Sequence, residues 1–376
     1  MRITQLELLD YRNYASASLT FNKDLIVFLG ENAQGKTNVL ESLYVLAMTR
    51  SHRSQHEKEL IRWGQSFARI RGILSKKNYT TELEIVISNK GRRTKRNHIE
   101  QAKLSDYIGE LNVVLFAPED LYLIKGSPQN RRKFIDMELG QVNPSYLYHL
   151  SVYQNVLKQR NRYLKENGRQ QKKIDETYLE VLTEQLAAAG AHVIHERLMF
   201  IQKLEQWAQE IHGAITNHRE KLTMQYQPSF VLEEAQTVAE IEALFLEALS
   251  RQRSRELMLQ TTSLGPHRDD VIFFIDGQNV QTYGSQGQQR TTALSVKLAE
   301  VELIHEQIGE YPILLLDDVM SELDDERQVH LLAAIEGKVQ TFVTTTTLNH
   351  LTNKLLSHPE IYLVKDGQVE RKSENA

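Results

Sequence analysis

Eight residues, Gly30-Glu31-Asn32-Ala33-Gln34-Gly35-Lys36-Thr37, narrow most what this chain can fold into. They match G-x-x-x-x-G-K-[ST] at every fixed position. Their flanks agree. Asp24 to Leu29 is a short apolar run that reads as a buried strand. Asn38 to Leu46 has no Gly or Pro and reads as a helix. A glycine loop between strand and helix turns backbone N–H groups around an anion, and the helix N-terminus adds its positive end. Lys36 is expected to reach the β- and γ-phosphates of a nucleotide, and Thr37 to place its hydroxyl on Mg²⁺. A chance match would not bring both flanks with it.

The chain has 376 residues, enough for two or three domains or lobes. It has no cysteine, which excludes disulfides, thiolate metal sites and a Cys nucleophile. Met1-Arg2-Ile3-Thr4 does not read as a signal peptide, and no apolar run approaches ~18 residues. A cytoplasmic protein is the expectation. Net charge is −4, but it is unevenly spread. Residues 1–135 carry 22 Lys+Arg and 14 Asp+Glu, a net of +8; the remainder carries 23 and 35, a net of −12. That split predicts a basic surface on the first part of the molecule.

In chain order, Met1 to Phe21 reads as two strands joined by a turn at Asp10 to Tyr14. Arg12 in that turn is a candidate nucleotide contact, with a solvated turn Arg as the plain alternative. Arg50 and Arg53 lie in a short basic stretch after the first helix, either a surface loop or a phosphate contact. Phe67 to Ser88 reads as a strand pair turning at Ser75 to Asn78. Lys90 to Arg96 then packs five positive charges into seven residues. Arg92, Arg93, Lys95 and Arg96 are candidate DNA-backbone contacts, although such runs are commonly solvated faces. Val113 to Phe116 reads as a buried strand, and Pro128 as the opening of a helix. Tyr146 to about Tyr226 has no proline and keeps helical spacing, with a polar break at Lys165 to Lys173; two long helices are expected. This texture predicts domains at 1–136, 137–250 (the helical arm) and 251–370, with a frayed tail at 371–376.

Four stretches follow the arm. Thr262 to Asp270 is a polar loop ahead of a strand at Val271 to Ile275. Tyr283-Gly284-Ser285-Gln286-Gly287-Gln288-Gln289-Arg290 is a Gly/Gln-rich loop entering a helix. Ser285 and Gly287 there suit an anion, or simply an ordinary helix cap. Pro312 to Asp318 is an apolar strand ending in two carboxylates. With a phosphate loop upstream, Asp317 is the expected Mg²⁺-organising acid, and Asp318 the group that positions or deprotonates water. Gln340 to Thr346 is a strand ending in threonines.

Phosphate loop, Gly/Gln loop and carboxylate strand, in that order around a helical insert, resemble the ATPase heads of the ABC superfamily. Within it, Ala117-Pro118-Glu119-Asp120, Gly126-Ser127-Pro128 with Arg131-Arg132, Gly265-Pro266-His267-Arg268-Asp269, the Tyr283–Arg290 loop and Leu316-Asp317-Asp318 resemble the RecF family of bacterial recombination mediators. The resemblance implies an α/β head, a mixed sheet with flanking helices, carrying an inserted α-helical arm. It also implies an ATP-gated homodimer. Each ATP would lie between Gly30–Thr37 of one protomer and Ser285, Gly287 and Gln288 of the other, with Lys36, Asp317 and Asp318 carrying the chemistry. Glu119 occupies the neighbourhood where a Gln often contacts the metal. Asp318 stands where most ABC ATPases have Glu, and Thr344–Thr347 replace the usual switch His, so weak, DNA-stimulated, switch-like hydrolysis is expected. The implied partners are double-stranded DNA near single-strand gaps, RecR and RecO, and through them RecA. Neither nuclease nor helicase motifs are present. Two other classes compete. A chromosome-organising SMC-like ATPase needs far longer coiled coils than this arm. A metabolic P-loop kinase would lack the Gly284–Arg290 loop, and a transport ATPase should keep the Glu and His missing here.

Overall fold

The structure is a computed structural model, and it describes residues 1–54, 56–170, 175–232, 235–321, 323–348 and 359–372. The chain divides into two compact units. One comprises 1–121, 214–218 and 293–376, the other 122–213 and 219–292. These divisions fall elsewhere than the textural boundaries, because the segment from 251 to 292 packs within the second unit. Residues 373–376 of the expected tail, and 171–174 at the polar break, lie outside the described residues.

The first unit begins with β1 (Arg2–Tyr11), β2 (Tyr14–Thr20), β3 (Leu25–Leu29) and α1 (Lys36–Met48). It continues through β4 (Phe67–Ser75), β5 (Thr80–Ser88), β6 (Gly91–Arg96), β7 (Ile99–Glu100) and β8 (Val113–Phe116). Between the parts of this unit run α2 (Leu121–Lys125), α3 (Pro128–Val142), α4 (Pro144–Gln170), α5 (Glu176–Ile215), β9 (Leu222–Gln227), α6 (Val238–Leu259), β10 (Asp270–Ile275), β11 (Gln278–Asn279) and α7 (Val280–Tyr283). The chain ends with α8 (Gln286–Ile308), β12 (Ile313–Asp317), α9 (Asp325–Ile335), β13 (Thr341–Thr345), β14 (Glu360–Lys365) and β15 (Gln368–Arg371).

Two six-stranded sheets form the first unit. The order β2-β1-β4-β5-β6-β7 is antiparallel throughout. The order β15-β14-β3-β13-β12-β8 is parallel except for the terminal β14–β15 pair. Its central strands read as near-continuous apolar runs because both faces are covered. The antiparallel strands alternate instead: in β4, Ala68, Ile70 and Leu74 are buried while Arg69, Arg71 and Ile73 are less so. α1 packs against strands of both sheets, and all of it but Thr37 and Asn38 is buried. The parallel sheet ends β3 and β12 on the same edge, which brings the phosphate loop and Asp317 together.

In the second unit, Ser127 and Pro128 open α3 through a capping box with Asn130. The two long arm helices stand as expected. The reading of helix as far as Tyr226 is corrected: Leu222 to Gln227 is a strand, paired with β10 in the order β11-β10-β9. Its alternation, with Leu222 and Met224 buried, wins over the surrounding helical texture. The Gly265–Asp270 stretch ties this unit internally. Asp270 accepts from Arg131 Nε and Nη2 at 2.7 and 2.9 Å. Buried Asp269 accepts from Tyr226 Oη and, at 2.7 Å, from the Ser229 N–H. Arg197 donates to Pro266 O at 2.6 Å and pairs with Asp136 at 2.7 Å. Gly265, at φ +120°, admits no side chain: a Cβ would lie 2.5 Å from Tyr153 Oη.

Candidate nucleotide site

The loop 30–37 is held from behind. Tyr14 Oη donates to Gly35 O at 2.9 Å, and Asn13 Nδ2 to Gln34 O at 3.2 Å. The Asp366 N–H donates to Gln34 Oε1 at 2.7 Å. Gly35 caps α1 with φ 115°, and a Cβ there would lie 2.6 Å from Asn13 Nδ2. Glu31, Asn32 and Ala33 are exposed at the loop's tip, with Ala33 left-handed at φ 65°. Lys36 is only 7 % exposed, and its Nζ donates to the carbonyls of Gly30 and Glu31, both at 2.7 Å. Burial lowers its pKa, opposed by the charges of Asp318 and Asp317.

Thr37 and Asp317 meet. Thr37 Oγ1 donates to Asp317 Oδ1 at 2.9 Å, and Thr344 Oγ1 donates to the same oxygen at 2.8 Å. Burial raises the Asp317 pKa against these hydrogen bonds; the charge of Arg53 also lowers it and that of exposed Glu119 raises it. Asp318 follows in the left-handed region, φ 55°, with its N–H on Thr344 Oγ1 at 2.9 Å. Asp tolerates that backbone better than most residues, and such strain gathers at functional positions. Thr344, read only as the absence of a histidine, therefore fixes both carboxylate residues.

Arg12 is neither a solvated turn residue nor open. Its Nε and Nη2 hold the two carboxylate oxygens of Glu41 at 2.8 and 2.7 Å, and its Nη1 donates to Glu59 O at 2.9 Å. Tyr11 and Ser51 donate to the same fully buried carboxylate. Burial alone would raise the Glu41 pKa; hydrogen bonds from Arg12 and Ser51 bring it below its ordinary value. Sequence reasoning missed Glu41, although one acid inside the apolar run Val39 to Leu46 signals a buried cation partner.

The basic candidates separate. Arg53 Nη1 donates to Asn38 Oδ1 at 3.2 Å and acts electrostatically on Asp317, so it belongs to the phosphate-loop edge. Arg92 pairs with Glu57 at 2.7 Å and donates to Thr49 O. Lys95 pairs with Glu84 at 2.8 Å, and Arg96 with Glu110. Arg50 and Arg93 are exposed. The run at 90–96 is thus a strand, β6, flanked by β5 and the short β7, in which Arg92, Lys95 and Arg96 are neutralised by neighbours that its sequence does not disclose.

Ser285 and Gln288 form a reciprocal cap at the start of α8. The Ser285 N–H donates to Gln288 Oε1 at 2.9 Å, and the Gln288 N–H to Ser285 Oγ at 3.2 Å. Gln288 Nε2 also donates to Glu220 Oε1 at 3.0 Å. Ser285 is exposed and Gly287 half-buried.

The family model described as the RecF/RecN/SMC N terminal domain matches residues 2–369. The DNA replication and repair protein RecF of Enterococcus faecalis (strain ATCC 700802 / V583) is 61% identical over 376 residues, covering 99% of this chain and all of that protein. The chain belongs to the RecF family of DNA replication and repair proteins. Its fold is the ABC-type ATPase head of that family. A solved structure of the recombination mediator protein RecF–ATP in the RecFOR pathway superposes with a TM-score of 0.91 at 32% identity, covering 99% of this chain and 97% of that one. An SMC head bound to the C-winged helix domain of ScpA reaches a TM-score of 0.56 at 16% identity, over 100% and 98% of the two chains. That likeness extends to the fold alone, and the SMC-like alternative is a distant one. Among the described residues no helix is long and apolar enough to cross a membrane.

Proposed function

We propose that this chain is a cytoplasmic, ATP-gated homodimeric clamp that binds double-stranded DNA near single-strand gaps and, with RecR and RecO, helps RecA load. The observation that carries the nucleotide part is the 2.9 Å hydrogen bond between Thr37 and Asp317. It joins residues 280 positions apart into the hydroxyl-plus-carboxylate pair that P-loop ATPases use. Relatives named DNA replication and repair proteins, and a structural neighbour named with ATP and the RecFOR pathway, support the repair setting and the nucleotide.

The residues fit a divalent cation. Asp317 is a buried carboxylate whose described partners on Oδ1 are neutral hydroxyls, and its raised pKa marks a charge that a cation would stabilise. Mg²⁺ bound by Thr37 and Asp317 would offset charge on the triphosphate. Phosphate oxygens would replace the Gly30 and Glu31 carbonyls as acceptors for Lys36. Asp318 would orient the attacking water, one methylene shorter than Glu, and Thr344 holds its backbone still. Ser285, Gly287 and Gln288 of a second protomer would complete the site, so that only the triphosphate closes the dimer. Hydrolysis then acts as a slow, DNA-stimulated release.

The test is nucleotide and duplex binding by the wild type and Lys36→Met. Loss of charged hydrogen bonds worth about 1.5–3 kcal/mol each should weaken ATP binding about 10- to 100-fold and remove ATP-dependent DNA binding. Unchanged ATP affinity in the variant would reject the site.

A further inference from the structure

The loop that enters α8 is tied to a carboxylate outside the loop itself. Glu220 lies between the end of α5 and the start of β9, in the same unit as the first turn of α8. Its two oxygens serve two different elements. Oε1 accepts from Gln288 Nε2 at 3.0 Å, and Oε2 lies 3.2 Å from Nε2 of His212 in the last turn of α5. His212 is fully buried and Glu220 partly so. Burial lowers the His212 pKa, against the hydrogen bond and charge of Glu220 and the charge of Asp276. The neutral ring has one N–H, and a carboxylate only accepts, so that proton belongs on Nε2, facing Glu220. The backbone beside Glu220 is fixed as well. The Lys221 N–H donates to Asp276 Oδ1 and the Asp276 N–H to Lys221 O, both at 3.0 Å.

A side-chain amide is nearly symmetric in shape, and its two ends differ in whether they donate or accept. Gln288 Oε1 takes the Ser285 N–H at 2.9 Å, which requires oxygen on that side. Glu220 requires nitrogen on the other. The two partners together select one amide orientation, and Glu220 supplies the charged half of the selection. Ser285 Oγ in turn accepts the Gln288 N–H at 3.2 Å, so the hydroxyl proton is directed away from the cap. Among the described residues that proton meets no acceptor within the chain. A carboxylate cannot donate to phosphate oxygens, so any part Glu220 plays toward a nucleotide runs through Gln288.

We propose that Glu220 is a positioning residue of the composite nucleotide site: it sets the Gln288 amide, and through it the Ser285 cap, in the arrangement that offers the Ser285 hydroxyl to the γ-phosphate of ATP held by a second copy. His212 anchors Glu220 to the end of the arm helix, so arm and loop share one hydrogen-bond chain, His212–Glu220–Gln288–Ser285. The inference rests on the shared-site reading proposed above and names what keeps its second half in shape.

The test is a double-mutant cycle on ATP-driven dimerisation of the full chain, followed by sedimentation with ATP, for the wild type, Glu220→Ala, Gln288→Ala and the double variant. Glu220→Ala should weaken dimerisation about tenfold, as expected for one charge-assisted hydrogen bond. Binding of a fluorescent ATP analogue by the dilute Glu220→Ala protomer should stay within about twofold of wild type. The double variant should dimerise no worse than Gln288→Ala alone, because Glu220 acts through that amide. Two conservative variants decide the matter even if Glu220→Ala fails to fold. Glu220→Gln keeps the reach and an acceptor and should stay within about threefold of wild type. Glu220→Asp keeps the charge but not the reach and should dimerise about tenfold more weakly. Wild-type dimerisation by Glu220→Ala, losses that simply add in the double variant, or the opposite order of the Gln and Asp variants overturns the inference and leaves the shared site standing. A wild type that binds ATP and stays monomeric removes the shared site, and this inference with it.

Discussion

Two clusters of buried charge in this molecule are built on opposite plans. In the second unit each buried cation already has its anion. Arg160 donates to Glu256 at 2.7 Å and to Thr262 Oγ1 at 2.8 Å, with both charged side chains almost wholly buried. Arg131 takes Asp270, and Arg197 takes Asp136. In the phosphate-loop cluster of the first unit, Lys36 rests on backbone carbonyls and Asp317 Oδ1 on two hydroxyls. The first plan spends charge on holding helices and strands in place. The second keeps positive and negative groups desolvated and only partly neutralised, which costs stability and suits a charged ligand.

The largest separation should come from removing one charge in each cluster. Arg160→Leu leaves Glu256 buried without its cation and should cost about 3–5 kcal/mol in chemical denaturation. Pairing it with Glu256→Leu should recover much of that. Asp317→Asn should do the reverse. Burial holds the Asp317 pKa above its ordinary value, so its contribution to stability is present below the unfolded pKa and is lost as pH rises through the folded one. At neutral pH the amide should therefore leave stability unchanged or slightly raised, while ATP hydrolysis falls by about 100-fold or more. A destabilised Asp317→Asn would break the contrast.

A smaller effect sharpens it. Burial, with the charges of Arg268, Arg132 and Arg197, lowers the His267 pKa to about 4, against a hydrogen bond to Thr262 O. Tyr153 Oη sits 2.5 Å from its Nδ1. A depressed histidine contributes stability above its unfolded pKa of ~6.5 that is lost as pH falls toward 4. The second unit should lose roughly 3 kcal/mol over that window through this group. His267→Asn should flatten the loss in an acid-denaturation series; an equally steep fall would remove His267 from the account.

The legibility of the two clusters differs for the same physical reason. The phosphate loop is local: Gly30, Gly35, Lys36 and Thr37 must be neighbours in sequence, so spacing discloses them. Asp317 was readable because an all-apolar strand ending in acid has few other uses. The helical arm and Pro128's helix followed from periodicity and capping. What the sequence hid are partnerships across long separations: Arg12 with Glu41, Arg160 with Glu256, Lys95 with Glu84. A charge run looks the same whether it faces solvent or a row of glutamates on the next strand. β9 was hidden by its brevity beside a 40-residue helix. The Gly265–Asp270 motif was visible as a pattern, but its work of fastening Arg131, Tyr226 and Ser229 needed the fold.

In the proposed dimer, ATP is shared between the phosphate loop of one protomer and Ser285 of another. Sedimentation velocity without nucleotide, with ADP and with ATP, on the wild type and on Lys36→Met and Ser285→Arg, tests it directly. ATP alone should drive the wild type to a dimer, and both variants should remain monomeric. A wild type that stays monomeric with ATP, or a Ser285→Arg variant that dimerises normally, would contradict it.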